Sequence, residues 1–166
     1  MASTRKLAFD PIERAGELWR EHVGDDVSMR LATSIMRVQQ IVLAALDAAV
    51  RPYDITFSRY EVLRLISFSK DGRLPMSKIG ERLMVHPTSV TSLVDRLEAQ
   101  ELVERTNDPG DRRRIYVSLT PAGRRVLKSA TRALTDIDFA VGSLDESHQV
   151  EAYELLRRLR SDDFED

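Results

Sequence analysis

Between Asn107 and Leu119 the chain turns and runs back on itself. Asn107-Asp108-Pro109-Gly110-Asp111 is a turn by composition. Ile115, Val117 and Leu119 then alternate with Arg114, Tyr116 and Ser118, the period of a strand with one face in a core. Leu102 to Thr106 reads as the outgoing strand, so the two make a β-hairpin. Its upstream neighbours are helical. Ser77 to Leu83 carries Ile79 and Leu83. His86-Pro87 opens a second helix that runs to about Gln100, with His86 in the cap position and Val90, Leu93, Val94 and Leu97 on a single face. Two short helices in tight succession, followed directly by a hairpin, describe a winged helix-turn-helix.

The remaining segments are helical. Asp10-Pro11 offers a carboxylate cap and a first-turn proline for a short helix ending near Gly24. Residues 28–50 carry a broad apolar stripe that stops at Arg51-Pro52, and Ser58 to Phe68 follow. Thr120-Pro121 restarts the chain as a helix, and two helices, 121–142 and 146–160, finish it. The expected class is mainly α with a small β-hairpin (α+β), in four parts: an extension with a short helix (1–27), a dimerisation helix and linker (28–57), the winged lobe (58–120) and C-terminal dimerisation helices (121–166). The segments 28–50, 121–142 and 146–160 carry more apolar surface than a small winged lobe can cover, which points to a homodimer. Met29, Met36, Met76 and Met84 fall on or beside apolar faces and are expected in the core.

Composition removes several function classes. The chain has no cysteine, so disulfides and thiolate metal sites are excluded. His22, His86 and His148 do not make a zinc-ligand spacing, and His22 beside Asp25 and Asp26 reads as a solvated helix end. No nucleophile–base pattern or phosphate-cradling glycine loop is present, so neither an enzyme nor a cofactor is expected. No apolar run is expected to approach a membrane span, and a cytoplasmic protein is expected. The net charge of −2 argues against a polyanionic partner, but its distribution argues for one: Arg105, Arg112, Arg113, Arg114, Arg124 and Arg125 cluster in and after the hairpin, while carboxylates dominate beyond Asp136.

The face of the 87–100 helix opposite its apolar stripe holds Thr88, Ser92, Asp95 and Arg96, with Ser89 and Thr91 at its edges. Hydroxyls on a helix surface are usually solvated. At the start of a helix narrow enough for the major groove they can also donate to phosphates or read base edges. Arg112, Arg113 and Arg114 follow the turn directly. Guanidiniums at an exposed hairpin tip suit a narrow, strongly negative minor groove. Asp111 is placed to support Arg113 by a bidentate contact.

Asp108-Pro109-Gly110-Asp111-Arg112-Arg113, followed by Val117-Ser118-Leu119-Thr120-Pro121-Ala122-Gly123, resembles the wing signature of MarR-type regulators. Leu93-Val94-Asp95-Arg96-Leu97-Glu98 is similar to the second half of their recognition helix, and the likeness runs from about Ser28 to Leu159. It implies a homodimer on a pseudo-palindromic operator in double-stranded DNA, usually a repressor, often released by a small phenolic or anionic effector. Arg113 would be the wing-tip arginine and Asp111 its partner. The stretch before Ser28 is similar to the extra N-terminal helix of the urate-responsive subgroup. In that subgroup a Trp, an acid and a recognition-helix arginine shape the ligand site, and Trp19, Glu61 and Arg96 correspond. Glu61 stands where aspartate is expected. The competing reading of Trp19 is simple packing of the added helix. An effector pocket is expected between the helical base and the winged lobe, along 28–50 and 58–68, with Arg59, Tyr60 and Arg64 as polar candidates. The alternative function is a winged helix that docks proteins without reading DNA; the arginine-rich wing argues against it, since docking surfaces more often carry an apolar patch.

Overall fold

A computed structural model describes residues 7–111 and 114–161. The order is α1 (Pro11–His22), α2 (Val27–Val50), a 3₁₀ turn (Arg51–Tyr53), α3 (Phe57–Ser67), β1 (Arg73–Pro75), α4 (Met76–Leu83), α5 (Pro87–Ala99), β2 (Val103–Asn107), β3 (Ile115–Leu119), α6 (Pro121–Thr135), a second 3₁₀ turn (Asp138–Ala140) and α7 (Glu146–Leu159). The chain divides into two compact units, one through Ala44 and one from Ala45 onward.

In the first unit Asp10 caps α1 through the Ile12 N–H at 2.8 Å, as the Asp10-Pro11 pair foretells. Helices α1 and α2 meet over charge. Asp26, only 5% exposed, pairs with Arg20 and Arg30 at 3.3 Å each, and Arg30 also pairs with Glu13. Gly16 lies against this cluster; a Cβ there would come within 2.6 Å of Arg30 Cδ. Leu31, Val38 and Ile41 of the α2 stripe are more than half exposed. The segment Val27–Tyr53 is long and apolar enough, by length and composition alone, to cross a membrane, with a mean hydropathy of 1.2. That corrects the expectation that no apolar run approaches a span: residues 38–46 carry no charge, and Arg30, Arg37 and Asp47 are the charged residues of Val27–Val50.

The second unit holds the core. Val62, Leu63, Ile66, Ile79, Val94, Leu97, Val117, Ala130 and Leu134 are fully buried. Gly80 lets α4 and α5 approach closely, for its missing Cβ would sit 3.1 Å from Val90 Cγ2. The sheet is antiparallel with β3 in the centre. Val103 pairs with Leu119 and Asn107 with Ile115 on one side, and Leu74 pairs with Val117 on the other. The expected hairpin is therefore two strands of a three-stranded sheet. Thr120 caps α6 through the Gly123 N–H at 2.9 Å. Gly123 has no room for a side chain, since a Cβ would fall 1.9 Å from the Leu102 carbonyl oxygen.

Two further expectations are corrected. The helix expected over 121–142 ends at Thr135, because Asp138, Phe139 and Ala140 take positive φ and turn the chain before α7. Met36 and Met84 are 63% and 66% exposed and are not core. Met84 closes α4 in a left-handed conformation (φ 52°), which carries its side chain off the apolar face. Met29 and Met76 are half-buried.

Candidate nucleic-acid interface

Helix α5 is anchored along one side and open along the other. Val90, Val94 and Leu97 are at most 2% exposed, while Thr88, Ser89, Thr91, Ser92, Asp95 and Arg96 are all exposed. The helix begins where the His86-Pro87 pair foretells: His86 Nδ1 accepts the Thr88 N–H at 3.3 Å. The Thr91 hydroxyl donates back to the Pro87 carbonyl at 3.2 Å, and Thr88 Oγ1 lies 3.2 Å from His86 Nδ1. Ser89 and Ser92 border an open groove of about 540 Å³ that also takes in Thr88, Ser58 and Glu61. Burial there holds the Glu61 carboxyl above the usual glutamate range.

Arg105, on β2, faces inward rather than outward. Its guanidinium donates to Asp95 at 2.5 Å and to Glu98 at 2.8 Å, tying the wing's first strand to the exposed flank of α5. Its Nε is buried without a hydrogen-bond partner. Arg105 is thus not part of the outward basic surface anticipated for Arg105–Arg125, and Asp95 is half of a brace rather than a free acid. The signal lies in the sequence as acids at i and i+3 of one helix, followed by an arginine on the next strand. Only the fold shows that they meet.

At the wing the chain leaves β2 at Asn107 and returns through Arg114. The Asp108 N–H donates to the Arg114 carbonyl and the Arg114 N–H to the Asp111 carbonyl, both at 2.9 Å. The Gly110 N–H donates to the Asp108 carboxylate at 2.8 Å, and this bond first, then Tyr116 and Arg114, holds that carboxyl below the usual range. Arg114 is exposed, and its contact with the Tyr116 side chain, followed by the charge of Asp108, holds its proton more firmly than usual. Arg112 and Arg113 lie outside the described residues.

The effector candidates fall on different elements and on both units. Trp19, 40% exposed, belongs to the first unit. Glu61 lies in the groove beside the start of α5, and Arg96 does not line that groove. Tyr60 is buried, its ring 5.8 Å from that of Phe57. Arg59 donates to Gln100 Oε1 at 2.9 Å and to the Asp54 carbonyl at 3.1 Å, while Gln100 Nε2 donates to the Asp54 carboxylate at 2.8 Å. This clasp pins the C-terminal end of α5 to the corner between α2 and α3. Arg64 turns the other way, toward Thr131 of α6.

A three-stranded sheet with a hairpin wing, packed on a helix-turn-helix whose second helix keeps a polar face open, defines a winged helix-turn-helix protein. Residues 53–114 match the MarR family. The HTH-type transcriptional repressor MdtR of Bacillus subtilis is 36% identical over 101 residues, covering 57% of this chain and 65% of the repressor, just under two thirds of its length. A MarR family transcriptional regulator of Streptomyces coelicolor superposes with a TM-score of 0.77 at 51% identity, over 84% of this chain and 98% of that one. CouR of Rhodococcus jostii, solved bound to p-coumaroyl-CoA, superposes with a TM-score of 0.69 at 26% identity, over 82% of this chain and 93% of that one. The chain belongs to the MarR family of transcriptional regulators, a family of DNA-binding proteins and not of enzymes.

Proposed function

We propose that the protein is a cytoplasmic, homodimeric repressor that binds a pseudo-palindromic operator and is released by a small anionic or phenolic effector. Helix α5 enters the major groove and reads it with Thr88, Ser89, Thr91, Ser92 and Arg96. The wing arginines Arg112, Arg113 and Arg114 reach the adjacent minor groove, with Asp111 supporting Arg113. Residues 58–120 form the reading lobe, and 28–57 with 121–166 supply the dimer contact. The extension 1–27 adds a helix to that base.

One observation carries the reading. The exposed face of α5 bears hydroxyls and an arginine, and the same helix is held along its C-terminal half, where Arg105 from the wing donates to Asp95 and Glu98 and Arg59 donates to Gln100. A helix braced in this way presents its polar face in a fixed direction and loses little freedom on binding. The repressor role follows that of the Bacillus relative, and release by an anionic aromatic compound follows the ligand bound by the Rhodococcus one. Selection of bound sites from random duplex DNA tests the proposal. It should enrich an inverted repeat with half-site centres about 10–10.5 bp apart, or a multiple of this. Enrichment of an unpaired half-site, or of nothing, would contradict it.

A further inference from the structure

Just ahead of α5 stands a residue that weakens the fold in two ways. Met84 follows α4 in the left-handed conformation (φ 52°, ψ 40°), at a helix end where glycine is the usual residue because it has no Cβ to crowd the backbone. Its side chain is also 66% exposed, so its apolar surface is left in water. The turn closes without that side chain: the Met84 N–H donates to the Glu81 carbonyl at 3.4 Å and the Val85 N–H to the Gly80 carbonyl at 3.1 Å. A strained backbone around an exposed apolar side chain points to a use for the side chain itself.

Met84 borders a groove of about 710 Å³ between α4 and α5. Gly80 and Val90 line it where the two helices meet, and Met76, Val85 and Pro87 extend its apolar lining. The carboxylate in that lining, Glu81, is paired with Lys78 at 2.7 Å. His86 and Thr91 line the groove as well, so it runs along the first turns of α5. The Thr91 hydroxyl gives its proton to the Pro87 carbonyl at 3.2 Å, which leaves that side chain an acceptor oxygen and a methyl group toward a base.

We propose that Met84 is a specificity-determining residue that reads thymine through its C5-methyl group. The proposal rests on the reading of α5 as the helix that enters the major groove. Of the four bases, only thymine presents an apolar group there. A groove continuous with the start of α5 goes into the major groove with it, and an apolar lining matches a methyl group rather than a hydrogen-bonding edge. Methionine suits the contact: its unbranched, polarizable thioether adapts to the position of the methyl group. The hydroxyls of Thr88, Ser89 and Ser92 read polar edges, and Met84 adds the base feature that a hydroxyl does not recognise. The strain at Met84 is then kept for specificity, at the expense of stability.

The test uses the full chain and an operator selected from random duplex DNA, resynthesised with deoxyuridine for thymidine at one symmetric pair of positions at a time. The exchange removes one methyl group from each half-site and keeps every hydrogen-bonding group. In competitive titration at fixed salt, at least one pair should weaken wild-type binding about fivefold or more, as loss of a buried methyl contact in each half-site requires. Met84→Gly should bind the thymine and uracil forms of that operator within about twofold of each other. It should also melt at or above the wild-type temperature, because glycine suits the left-handed backbone. Met84→Leu, which keeps an apolar side chain, should retain a preference for thymine. Half-sites with no fixed thymine, or wild-type indifference to uracil at every pair, would overturn the proposal. Undiminished discrimination in Met84→Gly would also overturn it, giving the methyl contact to Thr88 or Thr91, and a lowered melting temperature in that variant would make Met84 a packing residue instead. Tight wild-type binding that ignores uracil would remove this inference alone. Wild-type binding no tighter than to random duplex DNA would remove the reading of α5 together with it.

Discussion

Helices α5 and α7 are amphipathic and nearly equal in length, 13 and 14 residues, yet they use their apolar faces in opposite ways. Helix α5 buries Val90, Val94 and Leu97 and leaves its polar face open. Helix α7 buries nothing: Val150, Tyr153, Leu155, Leu156 and Leu159 are 43–65% exposed. Apolar surface left in water costs about 25 cal/mol per Å². The contrast separates the proposed reading lobe, whose core closes within one chain, from a terminal helix whose apolar face has no cover among the described residues. In the proposed homodimer a second copy covers it. The first helix then serves chemistry and the second serves assembly.

The largest effect should come from the assembly side. Leu156→Glu combined with Leu159→Glu places two charges in the proposed dimer contact. Sedimentation equilibrium should show a monomer at micromolar concentration, and operator affinity should fall at least about 100-fold as the two half-sites are no longer bound together. A variant that remains dimeric would break the contrast, because α7 would then be merely an exposed helix. On the reading side, Arg113→Ala should cost about 1–3 kcal/mol of operator binding with an unchanged melting curve. Arg113→Lys should recover part of that loss, since lysine keeps the charge but is more strongly hydrated. Equal operator affinity in wild type and Arg113→Ala would remove the wing tip from the reading surface.

A smaller effect should follow at the brace between wing and α5. In a double-mutant cycle, Arg105→Ala and Asp95→Ala should show a coupling of about 0.5–1.5 kcal/mol in urea unfolding, as residues sharing one polar contact do. Zero coupling would mean that the brace adds nothing to the lobe. The smallest effect concerns Glu61. Burial raises its carboxyl above the unfolded value, so the unfolded chain releases this proton first as pH rises. Stability is therefore lost between the unfolded value, about 4.3, and the higher folded one. Glu61→Gln should raise the melting temperature at pH 7 by about 1–2 °C. That gain should vanish below the unfolded value, where both side chains are neutral. A gain that persists at low pH would point to packing rather than charge.

Local signals carry much of the fold. Asp10-Pro11, His86-Pro87 and Thr120-Pro121 mark three helix starts correctly because a cap acts over two or three residues. The alternation from Ile115 to Leu119 marks the central strand. What escapes a reading of the sequence is non-local. Strand β1 is three residues long and exists because β3 has a free edge, so no period announces it. The early end of α6 is hidden because Ile137, Phe139 and Val141 extend an apolar pattern while the backbone turns at Asp138. At the candidate site the polar face of α5 is legible from spacing. The commitments of Arg105, Arg59 and Arg64 are not, since each guanidinium finds its partner on another element. Gly123 is visible only within a signature; its cause is the Leu102 carbonyl that leaves it no room for a Cβ.

The central claim is that α5 reads the major groove while the wing reads the minor groove beside it. Dimethyl sulfate protection of a selected operator tests both at once, because the reagent reports guanine N7 in the major groove and adenine N3 in the minor groove. Guanine N7 should be protected in two windows about 10–10.5 bp apart, or a multiple of this, with adenine N3 protection next to each. In Arg113→Ala, at concentrations that keep the site occupied, the adenine protections should weaken and the guanine protections remain. An occupied site with no guanine N7 protection, or with adenine N3 protection unchanged in Arg113→Ala, would contradict the claim.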